Sequence, residues 1–259
     1  KQELLRRMVA THEADPTRAE LFHRELADHQ QGYLRALASA MHQAETTSLK
    51  EDAALKVIGS VNVRLRDAGL VVTPPSAAAV LDTLVAAHVL VRDGGPVYAF
   101  QHQQVQEWFA SLDLEDELRA AAGTLNLQHP LVSGKLDDYF WGEAFLFACE
   151  RMSDADDGGV QAVAELIHLL LKIDPLFAAS LINRSAPAVW DRVSAAVSAF
   201  AYAWHKPGVP DRAAGFMVAT GRPEFGDVVW ALVSNADQHV QSESLRLVRR
   251  FSPAVIAEP

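Results

Sequence analysis

Few side chains in this sequence are placed to do chemistry, and their spacing limits what each could do. The stretch "DADDGGVQAVAE" puts Asp154 and Asp156 at the first and third positions of a calcium-binding loop, Gly159 at its sharp turn and Glu165 at its bidentate position. Two positions break that pattern. Gly158 stands where an oxygen ligand is needed, and Gln161 stands where an apolar residue is expected. The aspartates suit a simpler role at the N-terminus of a following helix, where acidic groups cap free N–H groups and complement the dipole. The sequence has 10 histidines but no H-E-x-x-H pair. His23 and His29 are six apart and would not share a helix face. No metal site is assigned. Cys149, the sole cysteine, lies inside "FLFACERM" and reads as a small core residue. A single cysteine builds neither an internal disulfide nor a cysteine-rich zinc site. No G-x-S-x-G elbow occurs, and no catalytic residue is assigned.

One junction stands out. In "VYAFQHQQVQEWFASLDL" a short apolar strand runs into His102, and a helix follows. The first N–H groups of a helix have no partner in the helix, and they carry a partial positive charge, so this is a ready place for an anion. An imidazole there can donate a hydrogen bond to phosphate. The same position also suits a structural histidine that caps the helix or ties down the strand pair.

The elements that must position this junction are mostly helical. "DPTRAELFHRELADHQQGYLRALASAMHQ" sets Phe22, Leu26, Tyr33, Leu34, Leu37 and Met41 in one stripe, with Thr17 and Glu20 as a capping box. "SLKEDAALKVIGSVNVRLRDAG" predicts a second helix, boxed by Ser48 and Glu51, striped by Leu55, Ile58, Val61 and Leu65, and stopped at Gly69. "SAAAVLDTLVAAH" predicts a third, with Val80, Leu81, Leu84 and Val85 inward. "VLVR" and "VYAF" around "DGGP" read as a hairpin, whose Pro96 requires a loop longer than two residues. Three helices, a hairpin and a further helix make a winged-helix pattern with the hairpin as wing.

Beyond Glu115 the chain is a string of short helical stretches with polar breaks, which predicts a bundle or an α-solenoid. "FGDVVWALVSNADQHVQSESLRLVRRF" has the form of a HEAT repeat. Its first helix carries Val228, Val229, Leu232 and Val233, its turn Asp237, and its second helix opens at Val240 and carries Leu245 and Val248. "VQAVAELIHLLLKIDPLFAASLI" follows the same plan more loosely, with Asp174 in the turn. Trp141, Trp190, Trp204 and Trp230 fall in apolar helical stretches and are expected in the core. The expected fold is therefore mostly α: an N-terminal helical segment over 1–46, a winged-helix domain over 47–114, and degenerate HEAT-like pairs over 115–259.

Phe100, His102, Gln106, Glu107, Trp108, Phe109 and Ala110 together resemble the end of the winged-helix domain in NACHT-type STAND nucleotidases. These are signalling ATPases related to animal NLR proteins and to bacterial antiphage sensors. Their pattern is an aromatic strand, a residue, His, a few residues, then Gln-Glu-aromatic-aromatic/Leu-Ala. "VLDTLVAAHVLVRDGGPVYAF" is similar to the family's entry into the wing, with His88 where the family often has Gly. The likeness covers Leu49 to Leu114, and the helical remainder by architecture. It implies that His102 reaches the β-phosphate of ADP held by an upstream NTPase module. It also implies that the winged helix clamps an ADP-bound resting state, that the helical repeats sense a protein trigger, and that the parent oligomerises on release. ADP or ATP with magnesium would be the parent's cofactors and antiphage defence a role, while the cytoplasm is the location expected from the single cysteine, Cys149.

The chain itself has no G-x-x-x-x-G-K-[ST] and no hydrophobic strand ending in paired acids, so it is expected to be neither an enzyme nor the holder of a cofactor. It opens on "KQELLRRMVATHEAD" without an initiator Met or a signal-like apolar region, and reads as part of a longer protein. Of its 259 residues 49% are hydrophobic, enough for a substantial core. The net charge of −10, from 33 acidic and 23 basic residues, argues against broad phosphate-backbone binding. The third helix also lacks Lys and Arg, so duplex nucleic acid is not expected as a partner. No apolar run is long enough to span a bilayer. A HEAT-like interaction scaffold without any nucleotide role is the second reading.

Overall fold

The computed structural model describes residues 28–92 and 94–251. It is mostly helical, with one small antiparallel sheet, and divides into two compact units. Of the described residues, those up to Leu114 together with 139–144 form the first unit, and 115–138 together with those from Phe145 onward form the second.

In the first unit, α1 (Gln30–Gln43) buries Tyr33, Leu34, Leu37, Ala38 and Met41. The expected stripe residues Phe22 and Leu26 and the Thr17–Glu20 box lie outside the described residues. Next comes a strand that the sequence pattern hides, β1 (Ser48–Lys50), followed at once by α2 (Glu51–Asp67). The Ser48–Glu51 capping box is therefore corrected. Ser48 is held in the sheet opposite Ala99, Lys50 becomes the extended N-cap residue, and the Glu51 N–H donates to the Pro96 carbonyl at 2.7 Å. Ala54, Ile58 and Val61 form the buried face of α2, while Leu55 and Leu65 are half-buried. Gly69 stops α2 in a left-handed conformation (φ +69°). The Gly69 N–H then reaches the Arg66 carbonyl and the Leu70 N–H the Leu65 carbonyl, the two bonds of a Schellman ending.

Asn62 fastens the entry to the third helix: it accepts from the Tyr33 hydroxyl at 2.7 Å and donates to the Pro75 carbonyl at 2.8 Å. α3 (Ala77–Ala86) is capped by Ser76, whose hydroxyl accepts from the Ala79 N–H. It buries Val80, Leu81 and Leu84, with Val85 half-buried. β2 (Leu90–Arg92) and β3 (Val97–Phe100) form the expected hairpin with a loop longer than two residues. β3 is central in the order β1-β3-β2, with Leu49 opposite Tyr98 on one side and Leu90 opposite Phe100 on the other. The chain order is thus α1-β1-α2-α3-β2-β3, with α1 packed on α2, and α2 on α3 and the sheet.

α4 (Gln103–Ala121) supplies its first residues to one unit and its last to the other. In the second unit a π-turn at Val132–Leu136 and the helices α5 (Gly142–Ala155, from Phe145 onward), α6 (Asp157–Ile173), α7 (Pro175–Arg184), α8 (Pro187–Trp204), α9 (Arg212–Ala219), α10 (Gly226–Val233) and α11 (Gln238–Phe251) follow. Their boundaries obey local chemistry. Asp156 caps α6, Asp174 caps α7 and Asp211 caps α9, each accepting from a backbone N–H three residues on, and Pro opens α7 and α8. Packing joins near neighbours in sequence: α6 touches α7 and α8, α7 and α8 each touch α9, α9 touches α10 and α11, and α10 touches α11.

At the last pair, Val229, Leu232 and Val233 of α10 are buried and Val228 is half-buried. The second helix opens at Gln238, not Val240, because Asp237 accepts from the His239 N–H there. It turns Ser244 and Val248 inward and leaves Leu245 40% exposed. Trp141 and Trp190 are buried as expected, but Trp204 and Trp230 are only half-buried. Among the described residues no helix is long and apolar enough to cross a membrane.

Candidate functional site at the strand-to-helix junction

β3 alternates strictly, with Tyr98 and Phe100 inward. Tyr98 anchors the strand through its hydroxyl, which accepts from Arg92 at 2.6 Å and donates to Glu51 at 3.3 Å. Arg92 in turn pairs with Asp82 of α3 at 2.8 Å. The strand is therefore fixed up to Phe100, and the Gln101 N–H extends the registry by donating to the Val89 carbonyl at 2.9 Å.

The chain then turns at His102. Its carbonyl accepts from the N–H groups of Val105 (3.0 Å) and Gln106 (3.4 Å) and so begins α4. Its side chain is exposed, and its imidazole makes no hydrogen bond among the described residues. The N–H groups of Gln103 and Gln104 are the unpaired donors of the first turn, also on exposed residues.

The other motif residues face inward. Phe100 stacks on Phe109 with ring centroids 6.1 Å apart, Trp108 meets Phe109 edge to face at 4.9 Å, and Ala110 is fully buried. Gln106, 1% exposed, donates to the Thr46 carbonyl at 3.2 Å and lies 3.3 Å from His42 Nδ1. His42 Nδ1 is also 3.1 Å from the Ala38 carbonyl. His42 Nδ1 thus lies between an acceptor, the Ala38 carbonyl, and a donor, the Gln106 amide, and the ring's tautomer decides which of the two it bonds. The His42 ring packs edgewise on Phe140 and Trp141, each at 4.9 Å. Glu107 is nearly buried. Burial pushes its carboxyl above the ordinary range, the hydrogen bond from Gln103 at 2.8 Å opposes that, and the charge of Glu143 adds to it.

Sequence spacing therefore locates His102 but misses the polar cluster behind it. The signal was present: His42 continues the α1 stripe of Leu34, Ala38 and Met41, and a glutamine on the inward face of α4 needs a partner.

The acidic stretch resolves into helix ends. Asp154 lies in α5, and Asp156 accepts from the Gly159 N–H at 2.7 Å. Glu165 accepts from Gln161 (2.9 Å) and from the Gly123 N–H (2.8 Å). Among the described residues no three His, Cys, Asp or Glu side chains come together as metal ligands. Burial pushes the Cys149 thiol up to about 12, so it is a core group and not a nucleophile.

No family model, curated protein or solved structure matches the chain.

Proposed function

We propose that this chain is the regulatory and sensor segment of a NACHT-type STAND signalling ATPase. In this reading the first unit is its winged helix and the second its HEAT-like repeat region. The observation that carries the reading is the orientation of the motif. Of Phe100, His102, Gln106, Glu107, Trp108, Phe109 and Ala110, His102 alone is exposed, while the others are buried or half-buried. A histidine exposed at a helix N-terminus, beside unpaired N–H groups, is placed to donate to a phosphate brought from outside. His88 adds support. It adopts a left-handed backbone (φ +55°) at the position where the resembled family often has Gly, the residue that tolerates this conformation. The order of three helices, a first strand and a hairpin suits a winged helix, and the packing of α6 to α11 on near neighbours in sequence suits a solenoid.

In this mechanism an upstream NTPase module holds ADP and magnesium. His102 binds the ADP phosphate only in the closed state, so ADP favours closure. A protein trigger on the repeats favours the open form, which oligomerises. His102→Ala in the full-length protein should weaken ADP binding by roughly ten- to a hundredfold, the loss of one charge-assisted hydrogen bond. The thermal melting of this chain should be unchanged, because the side chain has no internal partner. Isothermal titration with ADP and a melting curve test both halves. Unchanged ADP affinity with a collapsed melting temperature would make His102 a structural residue.

A further inference from the structure

We propose that Gln106 is the positioning residue of the His102 site: its side-chain amide ties the start of α4 to the sheet and so aims the imidazole at the phosphate. This deepens the reading of His102 as an ADP contact and rests on it. The exposed ring of His102 makes no hydrogen bond among the described residues, so the backbone decides where it stands. On the upstream side that backbone is fixed by the strand. The Gln101 N–H donates to the Val89 carbonyl at 2.9 Å, and Phe100 stacks on Phe109. On the downstream side lies a helix start, whose first N–H groups have no partner in the helix, and such ends fray unless something ties them.

Gln106 supplies the tie. Its backbone N–H donates to the His102 carbonyl at 3.4 Å, while its side chain, 1% exposed, donates to the Thr46 carbonyl at 3.2 Å. Thr46 is itself held. Its N–H donates to the Met41 carbonyl at 3.0 Å, and its hydroxyl donates to the Ser48 carbonyl at 3.1 Å. Ser48 lies opposite Ala99 in the sheet, three residues before His102. The connections close a ring. The chain runs from Ala99 to His102, the first turn of α4 carries it to Gln106, and bonds lead from Gln106 to Thr46, from Thr46 to Ser48 and from Ser48 back to Ala99. This ring sets the angle between β3 and α4 at the residue that must meet the phosphate. The side chain at 106 has to donate, because a carbonyl only accepts, and glutamine does so without burying a charge. Misplacing a contact group by about 1 Å is enough to forfeit much of its hydrogen bond.

A double-mutant cycle on ADP affinity in the full-length protein tests this. Gln106→Met keeps the volume and loses the donor, so it should weaken ADP binding by roughly three- to tenfold. On a His102→Ala background the same substitution should change ADP affinity by less than about twofold, because no imidazole is left to aim. Ile58→Val, a core change in α2, is the control: it should lower the melting temperature and leave ADP affinity unchanged. Hydrogen exchange supplies a readout without nucleotide. In this chain Gln106→Met should speed exchange of the Val105 and Gln106 N–H groups, which bond to the His102 carbonyl, by roughly tenfold, and Ile58→Val should not. A Gln106→Met loss that repeats in full on the His102→Ala background overturns the proposal, as does a Gln106→Met variant with unaltered ADP affinity or unaltered exchange. Unaltered ADP affinity in His102→Ala alone instead removes the phosphate contact itself, and Gln106 then has no site to position.

Discussion

The two units solve the same problem, a buried helical core, by different means. In the second unit the buried polar residues are Ser153, Ser185, Thr220 and Ser244, and each hydroxyl donates to a carbonyl three or four residues back in its own helix. Those bonds are local, and of these four hydroxyls Ser153's also accepts from a distant segment, the Ala186 N–H at 3.0 Å. The first unit buries Thr83 and Ser111 with bonds of the same local kind, but it also buries Gln30, His42, Gln106 and Glu107, and Gln106 joins α4 to the segment after α1. The backbones differ in the same sense. Among the described residues, Gly123, Gly208 and Gly221 take the left-handed positions in the second unit, whereas the first unit places Glu45 and His88 in that region as well. Departures from local preference gather where a segment is held for something besides stability. Glu45 precedes Thr46, whose carbonyl Gln106 bonds, and His88 precedes Val89, whose carbonyl Gln101 bonds.

The largest expected effect separates the two kinds of core. A Cβ on Gly159 would sit 2.0 Å from the Met152 carbonyl oxygen, a backbone atom that cannot step aside. Gly159→Ala must therefore displace α5 from α6, and it should cost about 3 kcal/mol or more in urea denaturation. Gln106→Ala tests the other principle. It removes the donor to the Thr46 carbonyl, and the loss should be about 1–2 kcal/mol. The loss is limited because Gln106 Oε1 is itself buried without a partner among the described residues, and its removal offsets part of the cost. A larger loss for Gln106→Ala than for Gly159→Ala would reverse the comparison.

A smaller effect, of opposite sign, comes from the helix ends of the first unit. α1, α2 and α3 all close with Schellman bonds, at Glu45 (φ +48°), Gly69 (φ +69°) and His88 (φ +55°). Only α2 uses the residue that this conformation favours. His88 is exposed and its N–H donates to the Val85 carbonyl, a bond that glycine retains. His88→Gly should therefore raise stability by about 1 kcal/mol, read as a higher denaturation midpoint at constant slope. A lowered midpoint would mean that the imidazole, and not the backbone, is what the position requires.

The ends and the wing were legible in the sequence because their causes are local. Gly69 announces a left-handed stop, Pro96 forbids a two-residue turn, and aspartates before apolar runs announce caps. β1 was not legible. Its three residues form a strand only because β3 offers a free edge, and the same Ser48 and Glu51 imitate a capping box. Leu245 and Ser244 were exchanged for a related reason. Periodicity gives the width of an inward stripe but not its phase when the helix start shifts from Val240 to Gln238. At the candidate site, His102 was visible by type and position. Its exposure, and the cluster of Gln106 and His42 behind it, depend on contacts between segments far apart in sequence, which spacing alone does not encode.

Acid should separate the units most gently, and in a defined direction. In the second unit the Asp156 carboxyl is held below its usual range by the Gly159 N–H and by Arg119, and the Glu165 carboxyl by Gln161 and the Gly123 N–H. Burial alone would raise Asp211, but the Lys206 and Ala214 N–H groups and His205 outweigh it, and its carboxyl is also lowered. A carboxyl lowered on folding contributes stability above its unfolded value, about 3.9 for Asp and 4.3 for Glu, and loses it as pH falls through the folded value. Glu107 of the first unit has the opposite sign. Burial raises its carboxyl, so the contribution is present below the unfolded value and is lost as pH rises through the folded one. Lowering the pH from about 6 to about 3 should therefore reduce hydrogen-exchange protection in α6 and α9 before it reduces protection around α4's first turns. Glu107→Gln keeps the hydrogen-bonding shape without the charge, and it should leave the first unit at least as stable at neutral pH while removing its response to acid. Earlier loss of protection in the first unit, with Glu107→Gln leaving that loss unchanged, would show that the buried carboxyl does not set the difference between the units.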